Sequence, residues 1–113
     1  MSKHARLESN ITRAITETLR TEVKDPAVGF VTITAVKLTN DLSFLTIYYT
    51  NLDKEKKENV AKALERSKSF IRSTLGKKVQ MRKLPELIFK YDESLDYGNR
   101  IESGLKKVIK DKE

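Results

Sequence analysis

With 113 residues, 38% hydrophobic and 35% charged, the chain can order one core but is too short for a deep cleft between two lobes. It has no cysteine, which excludes a disulfide framework and a thiolate metal site. The opening MSKHARLESN lacks the apolar core of a secretory signal, and nowhere do about 18 apolar residues run together as a membrane span requires, so a cytoplasmic, soluble protein is expected.

Taken in chain order, Leu7, Ile11, Ala14, Ile15, Leu19 and Val23 recur at spacings of three and four and predict a first helix with one buried stripe. Pro26 ends it, and Gly29 releases the chain into something new. From Phe30 to Leu38 and from Ser43 to Thr50 the period falls to two. Val31, Ile33 and Ala35 alternate with Thr32 and Thr34, and Leu45, Ile47 and Tyr49 with Thr46, Tyr48 and Thr50. TNDL, residues 39–42, supplies turn residues between them, so a hairpin covered on one face is expected.

Asp53 is placed to cap the following helix, where Val60, Ala63, Leu64, Ile71 and Leu75 share a face with Ser67 in its middle. A hydroxyl there either bonds back to the carbonyl of residue 63 or escapes burial through a break. Two helices, over 54–66 and 69–75, are therefore expected, joined by a kink at Ser67, Lys68 and Ser69. A serine tolerated inside one straight helix is the alternative. Gly76 suits a left-handed position past the helix end, and Pro85 the start of a third strand in which Leu87, Phe89 and Tyr91 alternate with Ile88 and Lys90. Leu95, Ile101, Leu105, Val108 and Ile109 predict a C-terminal helix, with Lys106, Lys107 and Lys110 near its end. The order is α+β, with helices packed on one face of a small three-stranded mixed sheet: a single domain over residues 1–110 with a frayed tail at 111–113.

The net charge of +7 is not spread evenly. Lys62, Arg66, Lys68, Arg72, Lys77, Lys78, Arg82 and Lys83 face only Glu65 in their window, whereas the rest of the chain carries fifteen basic and fifteen acidic residues. A local surplus of this kind reads as a footprint for a polyanion, above all nucleic acid, although some of the eight must point elsewhere. Charge reversal at Lys68 and Arg72 is then expected to weaken binding with little change in melting temperature.

Catalytic inventories come up short. His4 is the one histidine, which excludes a Ser-His-Asp triad away from the terminus and a three-imidazole zinc site, and His4 itself reads as a solvated terminal residue. Asp92, Glu93 and Asp96 fall between a strand and a helix and read as capping residues. No phosphate-cradling glycine pattern occurs, and no enzyme, cofactor or metal is expected. Tyr48 is the clear aromatic candidate on the polar sheet face, so recognition should rest on cations of the kinked helix pair and its exit loop that read backbone shape more than base identity. The rival readings are a protein-interaction module docking an acidic partner and, less well supported by its Lys- and Glu-rich helix, a winged-helix DNA-binding domain.

Three segments carry a resemblance: residues 22–50, EVKDPAVGFVTITAVKLTNDLSFLTIYYT; residues 63–94, ALERSKSFIRSTLGKKVQMRKLPELIFKYDES; and residues 96–105, DYGNRIESGL. With the first helix they make nearly the whole chain similar to the ribosome-binding factor A family, bacterial proteins with a type II KH fold. The resemblance implies a non-catalytic assembly factor that binds the immature small ribosomal subunit near the decoding region. It also implies a role in maturation, precursor RNA processing and growth in the cold. An assembly GTPase is the kind of acidic partner the rival interaction reading would take, and the evenly balanced charge outside the basic segment offers no obvious self-association patch, so a monomer is expected. The GxxG loop of ordinary KH modules is absent. The family carries an alanine-x-glycine kink that corresponds to Ser67-Lys68-Ser69, where serine replaces both small residues and glycine's freedom at positive φ is lost.

Overall fold

The computed structural model describes residues 2–93, so the expected C-terminal helix over 95–109, together with Asp96 and the tail, lies outside the described residues. Helix α1 spans Lys3–Thr21 and starts at Ser2, whose hydroxyl accepts from the Ala5 amide at 3.0 Å. Its stripe of Ile11, Ala14, Ile15 and Leu19 is buried, with Leu7 and Val23 at the margin of the core. His4 is not simply solvated. Its Nε2 lies 2.7 Å from the Leu38 carbonyl oxygen, while Glu8 accepts from the Leu38 amide at 2.7 Å, so both groups of one strand-end residue are held by the first turns of α1.

After α1, Asp25 accepts from the Ala27 amide at 3.1 Å and opens a 3-10 turn, Pro26–Phe30. Strands β1, Val31–Leu38, and β2, Phe44–Asn51, pair antiparallel; β3, Glu86–Tyr91, joins β2 in parallel, giving the order β1-β2-β3. A bulge between Ile33 and Ala35 shifts the register and corrects the simple alternation expected for β1: Ala35 is exposed, and Val36 and Leu38 take the buried positions. In the hairpin, Leu42 adopts φ 64°, a left-handed conformation that costs a leucine roughly 1–2 kcal/mol. Its amide donates to the Thr39 carbonyl, the Thr39 and Asp41 side chains accept from the Ser43 amide, and its own side chain packs against the core, which together hold it there.

Helix α2 runs unbroken over Lys57–Lys78. Asp53 accepts from the Glu55 amide and so caps the 3-10 turn Lys54–Lys56 that leads into α2 rather than α2 itself. The two-helix expectation, with its kink at Ser67, Lys68 and Ser69, does not hold. Leu64 and Ile71, both fully buried, are seven residues apart, within about 20° of one direction on a continuous helix, so breaking the helix would swing one of them out of the core. Against that, serine in a helix costs only about 0.5 kcal/mol relative to alanine. Ser67 is half-buried at the margin, and no described residue but Leu42 offers the positive φ a sharp turn would use. In α1, Thr12 and Thr18 both bond back to carbonyls four residues earlier without ending the helix.

Gly76 also differs from its expected role. It lies inside α2 at negative φ, and a Cβ there would meet Leu84 Cδ2 at 3.3 Å, so the requirement is close approach rather than a left-handed cap. Both helices pack on one face of the sheet, where Val60, Ala63, Leu64, Ile71 and Leu75 of α2 meet Leu45, Ile47, Tyr49 and Leu87 in a single core. Among the described residues no helix covers the opposite sheet face.

Candidate nucleic-acid interface

The eight cations of the basic segment divide by their position around and beyond α2. On a wheel of 3.6 residues per turn, Phe70, Lys77, Arg66, Ser73, Lys62 and Ser69 fall in this order within an arc of roughly 100°. Phe70 is half-exposed and the other five are well exposed, no acidic residue of α2 lies among them, and Glu58 and Glu65 border the arc on one side. From Lys62 to Lys77 the arc is about 22 Å long.

Arg66 leans from this arc to Asp25, Nη2 to Oδ2 2.6 Å, yet remains 62% exposed. The guanidinium, with the Ala27 amide as a second donor, holds the Asp25 carboxyl below the usual carboxylate range. Such an exposed pair is screened by salt and exchangeable for another anion.

The other flanks use their cations internally. Arg72 donates from Nε to the Pro85 carbonyl at 2.7 Å and from Nη2 to the Leu84 carbonyl at 2.8 Å, which fastens the exit loop to α2. Lys78 turns back to α1, 3.1 Å from Glu17 and 2.7 Å from Glu22, and these carboxylates raise its pKa. Lys68 lies on the side of α2 opposite Phe70 and pairs with Glu65 at 3.0 Å. Beyond the helix, Arg82 is exposed and Lys83 reaches the hairpin, its Nζ 3.0 Å from Ser43 Oγ. The Asp41 carboxyl beside it is held low, mainly by the Ser43 amide and the Thr39 hydroxyl, with Lys83 adding to the effect.

The structure therefore brings Lys62, Arg66 and Lys77 together on one outward arc, sets Arg82 and Lys83 on the exit loop, and commits Arg72, Lys78 and Lys68 to protein partners. Of the acidic residues near β3, Asp92 accepts from the Thr34 hydroxyl at 2.6 Å and Glu93 lies 3.8 Å from Lys57 Nζ, which also sits 4.1 Å above the Tyr91 ring. Sequence reasoning missed Phe70, which is 48% exposed on the cationic arc. The signal lies in the sequence: on the helical wheel Phe70 falls within about 40° of Arg66 and about 20° of Lys77, although an aromatic at helical spacing is by itself no different from a core residue.

Residues 3–105 match the family model described as ribosome-binding factor A. The chain belongs to the ribosome-binding factor A family. It is 47% identical over 106 residues to the ribosome-binding factor A of Staphylococcus saprophyticus, covering 93% of both chains. Its fold is similar to the crystal structure of ribosome-binding factor A from Thermus thermophilus, at a TM-score of 0.72 and 32% identity over 80% of this chain and 97% of that one. A second set of Thermus thermophilus coordinates, fitted into a cryo-EM map of a 30S complex with ribosome-binding factor A, matches at a TM-score of 0.64 and 31% identity over 80% of this chain and 96% of that one. These relatives of the ribosome-binding factor A family share the KH-like α+β architecture that carries the cationic arc here. Among the described residues no helix is long and apolar enough to cross a membrane.

Proposed function

We propose that this chain is a cytoplasmic, monomeric and non-catalytic assembly factor. It binds the immature small ribosomal subunit through ribosomal RNA and assists its maturation and the processing of its precursor RNA. The observation that carries this reading is the family match over residues 3–105, and the 30S complex of a Thermus thermophilus relative supports the choice of subunit. The contact surface is the α2 arc with Lys62, Arg66 and Lys77, extended by Arg82 and Lys83. Phosphate contacts of this kind position a protein on RNA without reading its sequence.

Sedimentation of the purified protein with small subunits, large subunits and free RNA tests the reading. Binding confined to small subunits is expected, and equal binding to all three would leave only a generic polyanion binder. If five cations neutralise phosphates, log affinity falls with log salt at a slope of about −3.5. Joint Lys62→Glu and Lys77→Glu substitution should weaken binding at least about tenfold and flatten that slope by about 1.4, with the melting temperature nearly unchanged. The Arg66–Asp25 pair shows that the arc accepts a carboxylate, which favours an acidic protein surface, such as that of an assembly GTPase, as the second reading. Naked ribosomal RNA competes for the site in the first case and leaves the complex intact in the second.

A further inference from the structure

Four large hydrophobic side chains are notably exposed among the described residues: Phe44, Leu52, Phe70 and Ile88. Isolated exposed hydrophobics are common on protein surfaces and need no explanation by themselves. Position distinguishes Phe70. It alone of the four lies on a helix, and on that helix it stands in the acid-free arc, one turn after Arg66 and two turns before Lys77. The wheel puts its other side next to Ala63 and Thr74, both buried, so the ring stands at the border of the core with about half its surface facing solvent. A continuous 22-residue helix fixes its direction, where the kinked pair expected from sequence would have made that direction depend on a hinge.

We propose that Phe70 is a nucleobase-stacking residue, on which an unpaired base of the bound RNA rests while Arg66 and Lys77 hold phosphates on either side. The proposal deepens the RNA-binding reading and rests on it. Its occupant follows from chemistry. An aromatic face accepts any base, and cations flanking it along the helix match the alternation of base and phosphate in a single strand. An apolar protein partner would instead have to bury Lys62, Arg66 and Lys77 beside the ring and leave them unpaired, which is costly. Sequence-tolerant stacking combined with phosphate contacts also fits a module without a GxxG clamp, since neither element needs to read the identity of a base.

The test uses the full chain with Phe70→Leu, Phe70→Tyr and Phe70→Ala. Binding is measured to small subunits and to a short single-stranded RNA of mixed sequence carrying 2-aminopurine, whose fluorescence drops on stacking. Phe70→Leu keeps the apolar volume but not the ring and should lose affinity by roughly 5- to 150-fold, with the salt slope unchanged because no charge is removed. It should also lose the wild-type quenching, whereas Phe70→Tyr keeps both. Wild-type affinity and quenching in Phe70→Leu would overturn the proposal while leaving RNA binding in place. So would a pattern in which leucine suffices and only Phe70→Ala fails, since that marks an apolar protein contact. If the wild-type chain binds neither subunit nor RNA, the underlying reading and the stacking role fall together. Melting curves of all three variants verify that each is folded at the assay temperature.

Discussion

Lys77 and Lys78 are neighbours in the chain, and α2 sends them to different tasks: Lys77 stands exposed on the outer arc, while Lys78 is drawn to Glu17 of α1 and to Glu22 just past its end. The same division separates Arg66 from Arg72. Arg66 is mostly exposed beside a single exchangeable carboxylate, whereas Arg72 is half-buried and closes the exit loop through two backbone carbonyls. Residue type is identical within each pair, so the assignment of a cation to solution or to the fold is made by its angle around the helix and by what packs there. A local charge count cannot make that distinction, because the carbonyls of Leu84 and Pro85 and the carboxylates of Glu17 and Glu22 become neighbours only after folding.

The largest expected effect breaks the comparison on its internal side. Arg72→Met leaves the Leu84 and Pro85 carbonyls without their charged donor, and should destabilise the protein by about 2 kcal/mol, lowering the melting temperature by roughly 10 °C in a thermal denaturation followed by circular dichroism. Affinity per folded molecule, measured well below the transition, should stay within a few-fold of wild type. This reverses the expectation from sequence that charge changes at Arg72 weaken binding and spare stability. An unchanged transition together with lost binding would return Arg72 to the contact surface.

A smaller effect sharpens the external side. Asp25→Asn removes the carboxylate that competes for Arg66 and should tighten RNA binding a few-fold, most visibly at low salt where the pair is least screened. The pair also has a pH signature. Because Arg66 lowers the Asp25 pKa in the folded state, its stabilising contribution is complete above the ordinary aspartate value, near about 4, and disappears as the pH falls through the lowered folded value. The acid limb of the wild-type stability profile should therefore be slightly steeper than that of Asp25→Asn. Identical limbs, with identical affinities, would mean that Arg66 spends its time in solvent.

Much of this architecture can be read from the residues, because patterns of two and of three or four report which face of an element is buried. The stripe of α1, the alternation in β2 and β3, and the turn at 39–42 appear where periodicity puts them. Three features escape such reading for physical reasons. The bulge in β1 depends on registration with β2, which no single strand encodes, so Ala35 and Val36 exchange their expected faces. Gly76 answers to Leu84, a contact across a loop, and not to the local grammar of helix ends. At the candidate interface the cationic segment itself is legible as a surplus of charge, but its division into arc, loop and internal clasps is not. Phe70 belongs to both worlds: its place on the wheel is local information, and its half-exposure is tertiary.

Ser67 offers the smallest and most discriminating test, because the two geometries predict opposite orders for the same pair of substitutions. In an unbroken helix, Ser67→Ala gains about 0.5 kcal/mol and Ser67→Gly loses a similar amount, since glycine is about 1 kcal/mol worse than alanine in a helix interior. With a sharp turn at this point the order inverts, because glycine alone enters positive φ without strain while alanine has no helical gain to collect. The fully buried Leu64 and Ile71 on either side favour the first outcome. Melting temperatures should then rise by a few degrees for alanine and fall by a few for glycine. Lys62 and Arg66 precede position 67 and Phe70 and Lys77 follow it, so a change of helix direction there would separate the two halves of the arc. Ser67→Ala, which secures the continuous helix, should accordingly keep wild-type affinity for small subunits. A variant that becomes more stable yet binds more weakly would mean that the bound state bends α2 at this residue, and that the arc is assembled differently on RNA.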